Sequence, residues 1–130
     1  MLRYSRLWML ALVGLVLLTN CRSAQKFVER GDYDGAIDYC VDKLAGKKKK
    51  KTDLVQGLEL AFRKATERDM RAADLLIAED RPDNWERVNV IHRQIQSRQE
   101  KIAPLLPLSS KDGYTAKFLF VNIEKLEADS

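Results

Sequence analysis

Residues 24–44 read AQKFVERGDYDGAIDYCVDKL, and this stretch decides the fold. From Tyr33 onward its apolar residues recur at steps of three and four, the spacing of an amphipathic helix with one buried stripe. Gly31 is suited to end one helix, and Asp32 is suited to cap the next. Two helices joined by so short a turn lie antiparallel and share their apolar faces. The stretch therefore predicts an antiparallel helical hairpin within an all-α fold.

The turn of this hairpin resembles a known repeat. Residues 31–37, GDYDGAI, are similar to the middle of a tetratricopeptide repeat, whose usual form is G-D-Y-x-x-A-I. Ala24 and Phe27 stand where the first helix of that repeat usually carries a small residue and an aromatic one. The resemblance implies that the small Ala36 lets the two helices approach closely. It also implies a tetratricopeptide-like fold of antiparallel hairpins, compatible with the N-terminal part of a larger solenoid.

A second apolar stripe lies between Leu54 and Ala78. Thr52-Asp53 comes directly before it and is suited to cap a helix that begins there. Residues 68–73, RDMRAA, align with residues 31–36 at an offset of 37, but the glycine of the turn is missing. We expect either a degenerate second hairpin here or one bent helix, and a single continuous helix is the alternative.

A further helix is predicted after Pro82, with Asp83 or Asn84 as its cap. Its apolar face carries Trp85 and several branched residues, and its other face is basic. Pro104 and Pro107 end it, and the Leu105-Leu106 pair between them is expected to pack as an apolar lid. Residues 114–121, YTAKFLFV, are prone to β-structure but have no second strand to pair with. They are expected to form an extended connection or the start of a helix.

The N-terminus has the features of a secretory signal peptide. Arg3 and Arg6 precede an uncharged apolar run of twelve residues, Leu7–Leu18. This run is too short to span a bilayer, which takes about 20 residues. A positive start, a short apolar middle and a processing site together indicate export.

Residues 18–21, LTNC, resemble the lipobox of bacterial lipoproteins, in which the cysteine is lipidated and becomes the first mature residue. Asn20 departs from the small residue usual before that cysteine, so an uncleaved N-terminal anchor or a signal cut nearby are the alternatives. The resemblance implies lipidation of Cys21. The two residues that follow Cys21 are Arg22 and Ser23, and neither is an aspartate. By the same resemblance, this favours delivery to the outer membrane, facing the periplasm.

These features divide the chain into four parts. Residues 1–20 form the signal peptide, and residues 21–25 form the lipidated cysteine with a short tether. Residues 26–106 form the helical hairpin domain, and residues 107–130 a loop with the start of a further helix. Without residues 1–20, Lys plus Arg falls from 23 to 21 while Asp plus Glu stays at 19, a net charge of about +2. This balance argues against nucleic acid as a partner.

No pattern in the sequence indicates catalysis, a metal site or a cofactor. His92 is the only histidine, with no cysteine pair or carboxylate cluster nearby at metal-ligand spacing. No zinc-protease, nucleophile-elbow or phosphate-loop motif is present. Cys40 lies on an apolar helical face and is expected to be a small buried hydrophobe. We therefore predict a protein that is not an enzyme.

The favoured hypothesis is a lipid-anchored, non-catalytic helical scaffold of the cell envelope that binds another protein. Arginine and aromatic side chains dominate interface energetics. The predicted exposed contacts are Trp85, Arg87, Arg93 and Arg98, with a core position as the alternative for Trp85.

A second hypothesis concerns the lysine run Lys47, Lys48, Lys49, Lys50 and Lys51. Such a run is most simply a solvated loop, but it is also suited to bind anionic surfaces. The protein would then be a structural lipoprotein that adheres to peptidoglycan or anionic lipid. A third hypothesis is a carrier for an apolar ligand between the helices.

Overall fold

The computed structural model describes residues 23–129. The predicted signal peptide and Cys21 lie outside the described residues. Within them the chain forms five α-helices and a short 3-10 turn, and an isolated β-bridge between Ser109 and Thr115 is the only strand-like pairing. The α-helices are α1 Ser23–Glu29, α2 Tyr33–Leu44, α3 Thr52–Ala78, α4 Asn84–Ile102 and α5 Ile123–Asp129, and the 3-10 turn is Ala103–Leu105. The prediction of an all-α fold is confirmed.

The turn between α1 and α2 follows the sequence closely. Gly31 has a φ of +75°, a backbone conformation that glycine adopts without strain. The Asp32 side chain caps α2 by accepting a hydrogen bond from the Gly35 amide at 2.9 Å. The helix-ending role of Gly31 and the capping role of Asp32 are both confirmed. However, α1 already begins at Ser23, so the last residues of the predicted tether are helical.

Helices α1, α2 and α3 meet at Gly57. A Cβ built on this glycine would lie 3.5 Å from the Ala24 Cβ and 3.6 Å from the Cys40 Sγ. The first residues of α1 therefore lie beside the N-terminal part of α3, and the small side chains at this contact allow the close approach.

The Gly57 contact leaves room for one methyl group, because both separations are ordinary van der Waals distances. We expect Gly57→Ala to raise the free energy of unfolding by about 0.5–1 kcal/mol, since alanine is the better helix former. Gly57→Leu is expected to lower it by about 1–3 kcal/mol through overpacking. Urea denaturation of the two variants checks this, and a destabilised alanine variant would contradict the geometry.

Helix α3 is continuous over 27 residues, so the prediction of a second hairpin near residue 68 is wrong. Residues 67–73, ERDMRAA, include no glycine or proline and favour helix. Asp69 does not cap a helix, as Asp32 does. Its side chain is buried and takes part in an ion pair with Arg98.

The turn between α3 and α4 is held by Asn84. Its Nδ2 donates to the Leu76 carbonyl at 3.0 Å and to the Glu79 carboxylate at 2.8 Å. Helix α4 begins at Asn84, so Asn84 is not its cap, and the Asn84 side chain bonds to the end of α3. Asp83 occupies the N-cap position of α4 without a side-chain capping bond.

Residues 106–122 form an extended connection, which is one of the two structures predicted for residues 114–121. This segment packs on the helices: Leu108, Ala116 and the following Ile123 are buried. Leu105 packs against the core, whereas Leu106 stays 37% exposed. Residues of the predicted hairpin domain, 26–106, and of the predicted C-terminal part, 107–130, therefore pack in the same core. The main cluster of buried residues contains Ala36, Ile37, Cys40, Leu44, Val55, Leu58, Ala61, Phe62, Ala65, Ile102, Leu108 and Ala116.

None of the helices in the described part of the chain combines the length and the apolar character needed to cross a membrane.

Candidate protein-binding groove

An ionic network joins α2, α3 and α4, and in it Arg98 and Asp69 are buried whereas Asp34 and Arg68 are partly exposed. The Arg98 guanidinium, 3% exposed, donates to Asp34 through Nε at 2.9 Å and to Asp69 through Nη2 at 2.7 Å. Arg68 also lies near both carboxylates, 3.4 Å from Asp34 and 3.1 Å from Asp69. Buried charges are tolerated only when they are paired and hydrogen-bonded in this way. The network therefore fixes the three helices relative to one another.

The charges of this network change the pKa values of its members. Burial alone would raise the pKa of Asp34, but the hydrogen bonds and positive charges of Arg98 and Arg68 outweigh it and lower that pKa. Burial alone would likewise lower the pKa of Arg98, but Asp34 and Asp69 more than offset it and raise that pKa. Both groups are therefore held in their charged forms.

A groove runs along α4, and we call it the α4 groove. Its upper part, of about 660 Å³, lies between α3 and α4, and its lower part, of about 420 Å³, lies between α2 and α4. Both parts share Val90 and Gln94, so they adjoin. The upper part is lined by Ala72, Leu75, Leu76, Glu79, Glu86, Arg87, Val90, Ile91 and Gln94, and the lower part by Asp34, Ile37, Val90, Arg93, Gln94, Ser97, Arg98 and Lys101.

The upper part of the groove exposes apolar surface. Leu75 is 68% exposed and Val90 is 44% exposed, and Ala72, Leu76 and Ile91 complete the apolar lining. The sequence placed Leu75 in a buried stripe, and this expectation is wrong. Helix α2 begins at Tyr33, opposite the middle of α3, and does not extend over this upper region. A contiguous apolar surface with a polar rim is typical of an interaction site.

The lower part of the groove carries one cation, Arg93, that has no ion pair with a described residue. Arg93, Arg98 and Lys101 line it together with Asp34, but Arg98 is paired with Asp34 and Asp69, and Lys101 is paired with Asp38 at 2.6 Å. The Asp34 carboxylate is already held by Arg98 and Arg68. Arg93 has no ion pair with any described residue, and its Nε donates only to the Asn89 carbonyl at 3.4 Å. A carboxylate from a partner would therefore find an unneutralised cation here.

The four predicted contact residues are placed differently by the structure. Arg87 lines the upper part of the α4 groove and Arg93 lines the lower part. Trp85 is 39% exposed at the start of α4 and does not line either part. The expectation that Arg98 is exposed is wrong, because its side chain forms the buried floor of the lower part and pairs with two carboxylates.

The residues that sequence reasoning missed are Leu75, Val90 and Gln94. Leu75 and Val90 are apolar residues that helical periodicity alone cannot separate from core positions. The acidic partners of Arg98 are 64 and 29 residues away in the chain, and one sequence alone carries no signal for such pairings.

The lysine run lies in the loop between α2 and α3. Lys47, Lys48, Lys49 and Lys51 are exposed, and the Lys50 Nζ donates to the Lys47 carbonyl at 2.9 Å. The Lys50 carbonyl in turn accepts a hydrogen bond from the Lys111 amide at 2.8 Å. The loop is therefore held by one hydrogen bond within it and by another from the 109–113 turn.

Cys40 and His92 are both buried. Cys40 is fully buried, as predicted, and burial raises the pKa of its thiol to about 11, so almost none is thiolate at neutral pH.

His92 lies in contact with α5, where its Nδ1 is 3.6 Å from a Glu127 carboxylate oxygen. Among residues 23–129 no group of three or more His, Cys, Asp or Glu side chains is arranged to hold a metal ion.

No protein-family model matches this chain, and the searches of curated proteins and of solved structures found no match.

Proposed function

We propose that the protein is a lipid-anchored, tetratricopeptide-like helical scaffold of the cell envelope that binds a partner protein in the α4 groove. The observation that carries the proposal is the groove itself. It combines exposed apolar side chains in its upper part with an unpaired arginine in its lower part. Anchoring through Cys21 is the part of the proposal that depends on the resemblance to lipoproteins.

The chemistry of the groove defines the partner segment. The lining from Glu86 to Lys101 covers 15 residue steps of helix, or about 23 Å, which matches four turns of a partner helix. Apolar side chains at helical spacing would fit between Leu75 and Val90. An acidic residue toward one end would reach Arg93. The proposed occupant is therefore an amphipathic segment of an envelope protein with an acidic end.

The groove is suited to binding, and catalysis is not part of the proposal. Its charged members are either held in the ionic network or exposed on the rim, and Glu79 already accepts a hydrogen bond from Asn84. Binding energy would come from burial of the apolar lining and from one charge-assisted contact at Arg93.

The test is crosslinking in cells followed by purification, with wild type compared with the double variant Leu75→Asp, Val90→Asp. Two carboxylates in the upper part of the groove are expected to lower partner recovery at least tenfold, because each would lose its hydration against the apolar face of the partner. Leu119→Asp is the matched control, since Leu119 is 85% exposed and does not line the groove. Circular dichroism checks that both variants are folded.

A partner that is recovered equally with the groove variant would overturn the proposed site. A partner lost from the groove variant and kept by Leu119→Asp would support it. The recovered partner then supplies a synthetic amphipathic segment, whose affinity for Arg93→Glu is expected to fall more than tenfold in calorimetric titration. Cys21→Ala tests the anchor separately, because this change is expected to lower the share of the protein in the membrane fraction.

A further inference from the structure

Two basic segments that are distant in the sequence meet at one end of the molecule. The lysine loop between α2 and α3 is hydrogen-bonded to residue 111 of the 109–113 turn, which adds Lys111 to the five consecutive lysines. The Thr52 hydroxyl at the start of α3 bonds to the Asp112 carboxylate at 2.6 Å, a second link between the segments. We call this surface, Lys47–Lys51 with Lys111, the basic end.

The basic end has a strong local excess of positive charge. Its six lysines stand against two nearby carboxylates, those of Asp53 and Asp112, and five of the six lysines are exposed. None of the six is in an ion pair with a described residue. The whole mature chain, in contrast, has a net charge of only about +2, so the charge is concentrated here.

The N-terminal side of the described chain lies toward the same end. Ala24 packs at Gly57, which is only five residues from Thr52, or about 8 Å along the axis of α3. Cys21 is three residues before Ala24, and three peptide units span at most about 11 Å. A lipid on Cys21 would therefore enter a bilayer close to the basic end.

The α4 groove lies toward the opposite end. The Leu76 carbonyl, bonded to Asn84 at the start of α4, is 24 residues from Thr52, or about 36 Å along α3. Leu75 of the groove lies at nearly the same level. A molecule whose basic end rests on a membrane would therefore hold the upper part of the groove well away from the headgroups.

We infer that the basic end binds the phosphate headgroups of anionic phospholipids and stands the molecule upright, with the α4 groove directed away from the membrane. Lysine clusters beside a lipid anchor strengthen membrane attachment, because one acyl signal alone binds reversibly. The inference rests on the proposed anchor for its orientation, but the headgroup binding itself does not require the anchor.

The first test is partitioning of the full chain between buffer and vesicles. One set of vesicles is phosphatidylcholine alone, and the other contains 30% phosphatidylglycerol. The readout is the ratio of the two partition coefficients, because apolar attachment through the N-terminus contributes equally to both. Each lysine near an anionic surface contributes about fivefold, so the triple variant Lys48→Gln, Lys49→Gln, Lys111→Gln is expected to lower the ratio about 100-fold.

The matched control removes the same charge elsewhere, through Lys64→Gln, Arg71→Gln and Lys125→Gln. All three positions are exposed, and none is in an ion pair with a described residue. This control is expected to change the ratio less than threefold. An equal fall in both variants would show a net-charge effect only and would overturn the inference. Retention on purified peptidoglycan without any dependence on phosphatidylglycerol would overturn it in favour of the cell wall.

The second test measures orientation through Trp85 in a Trp8→Phe variant, where Trp85 is the only tryptophan. Energy transfer from Trp85 to a headgroup-attached acceptor is expected to be weak on phosphatidylglycerol vesicles. Strong transfer would mean that the molecule lies flat, and would overturn the upright orientation. These results are independent of the groove variants, so partner binding and headgroup binding can fail separately.

Discussion

Replacing Arg98 by alanine is expected to lower the free energy of unfolding by about 3–5 kcal/mol, the usual cost of removing one partner from a buried ion pair. The Arg98 guanidinium is 3% exposed, and the Asp69 side chain that it contacts is 8% exposed. Without Arg98, the Asp69 carboxylate keeps only Arg68, whose side chain is 42% exposed. Urea denaturation followed by circular dichroism measures the loss.

Arg93→Ala is the matched control for this prediction. Arg93 is on the same helix, is exposed, and has no ion pair with a described residue, so its removal is expected to change stability by less than about 0.5 kcal/mol. The pair Arg98→Met, Asp69→Leu separates charge from packing. Removing both buried charges together is expected to recover much of the stability that Arg98→Met alone loses. Additive effects in this double-mutant cycle would refute a direct coupling.

The network also predicts a pH dependence. The pKa of Asp34 is lowered below its ordinary value of 3.8, because the effects of Arg98 and Arg68 outweigh the opposing effect of burial. A carboxylate whose pKa is lower when folded contributes stability above its unfolded pKa, and that stability is lost as the pH falls through the folded pKa. Wild type is therefore expected to lose stability below about pH 4, and Arg98→Ala to lose less over the same range. Parallel pH profiles would contradict this assignment.

The sequence predicted those parts of the fold that depend on local chemistry. Gly31 and Asp32 form the turn that their residue types favour, and Pro82 separates two helices as expected. Helical periodicity correctly placed Cys40 in a buried position. In each case the physical cause acts within a few residues, so a pattern in the chain is sufficient to find it.

The parts that could not be predicted depend on contacts between helices and loops that are distant in the sequence. Arg98 lies on the buried face of its helix, three residues after Ile95 and four before Ile102. A charged residue is normally exposed, but two acidic residues on other helices allow the burial of Arg98. Leu75 is apolar and yet exposed, because α2 begins too far down α3 to cover it. The sequence indicated the five consecutive lysines of the basic end but not Lys111, because the Lys111 amide joins the lysine loop through a tertiary hydrogen bond.

The extended segment 114–122 is the other place where tertiary contacts replace local structure. Only its start pairs with another extended stretch, through the bridge between Ser109 and Thr115, and side chains of the helices hold the rest. The Val121 amide donates to the Gln99 side chain at 2.6 Å, and the Lys117 amide donates to Glu59 at 2.6 Å. Phe62 of α3 packs edge-on against Phe118, with 5.4 Å between ring centroids, and its ring is tilted against that of Phe120, with 5.7 Å between centroids.

Phe62→Ala is therefore expected to cost about 3–5 kcal/mol of stability, as is usual for a large aromatic residue deleted from a core. Phe62 is 2% exposed, and its removal would leave the segment without its main apolar contact. We expect a second effect that global stability does not report. Hydrogen exchange at the Val121 amide should accelerate more than exchange at buried positions of α3, because the segment would detach before the helices separate.

Phe120→Ala is the control for this prediction, because Phe120 contacts the same ring but is 43% exposed. Its expected cost is about 1 kcal/mol or less, in line with a partly exposed position. Coupling between Phe62→Ala and Phe118→Ala should exceed about 0.5 kcal/mol, since the two rings form a direct edge-to-face pair. Unchanged exchange at Val121 in Phe62→Ala would mean that the hydrogen bonds to Gln99 and Glu59 hold the segment without the aromatic contact.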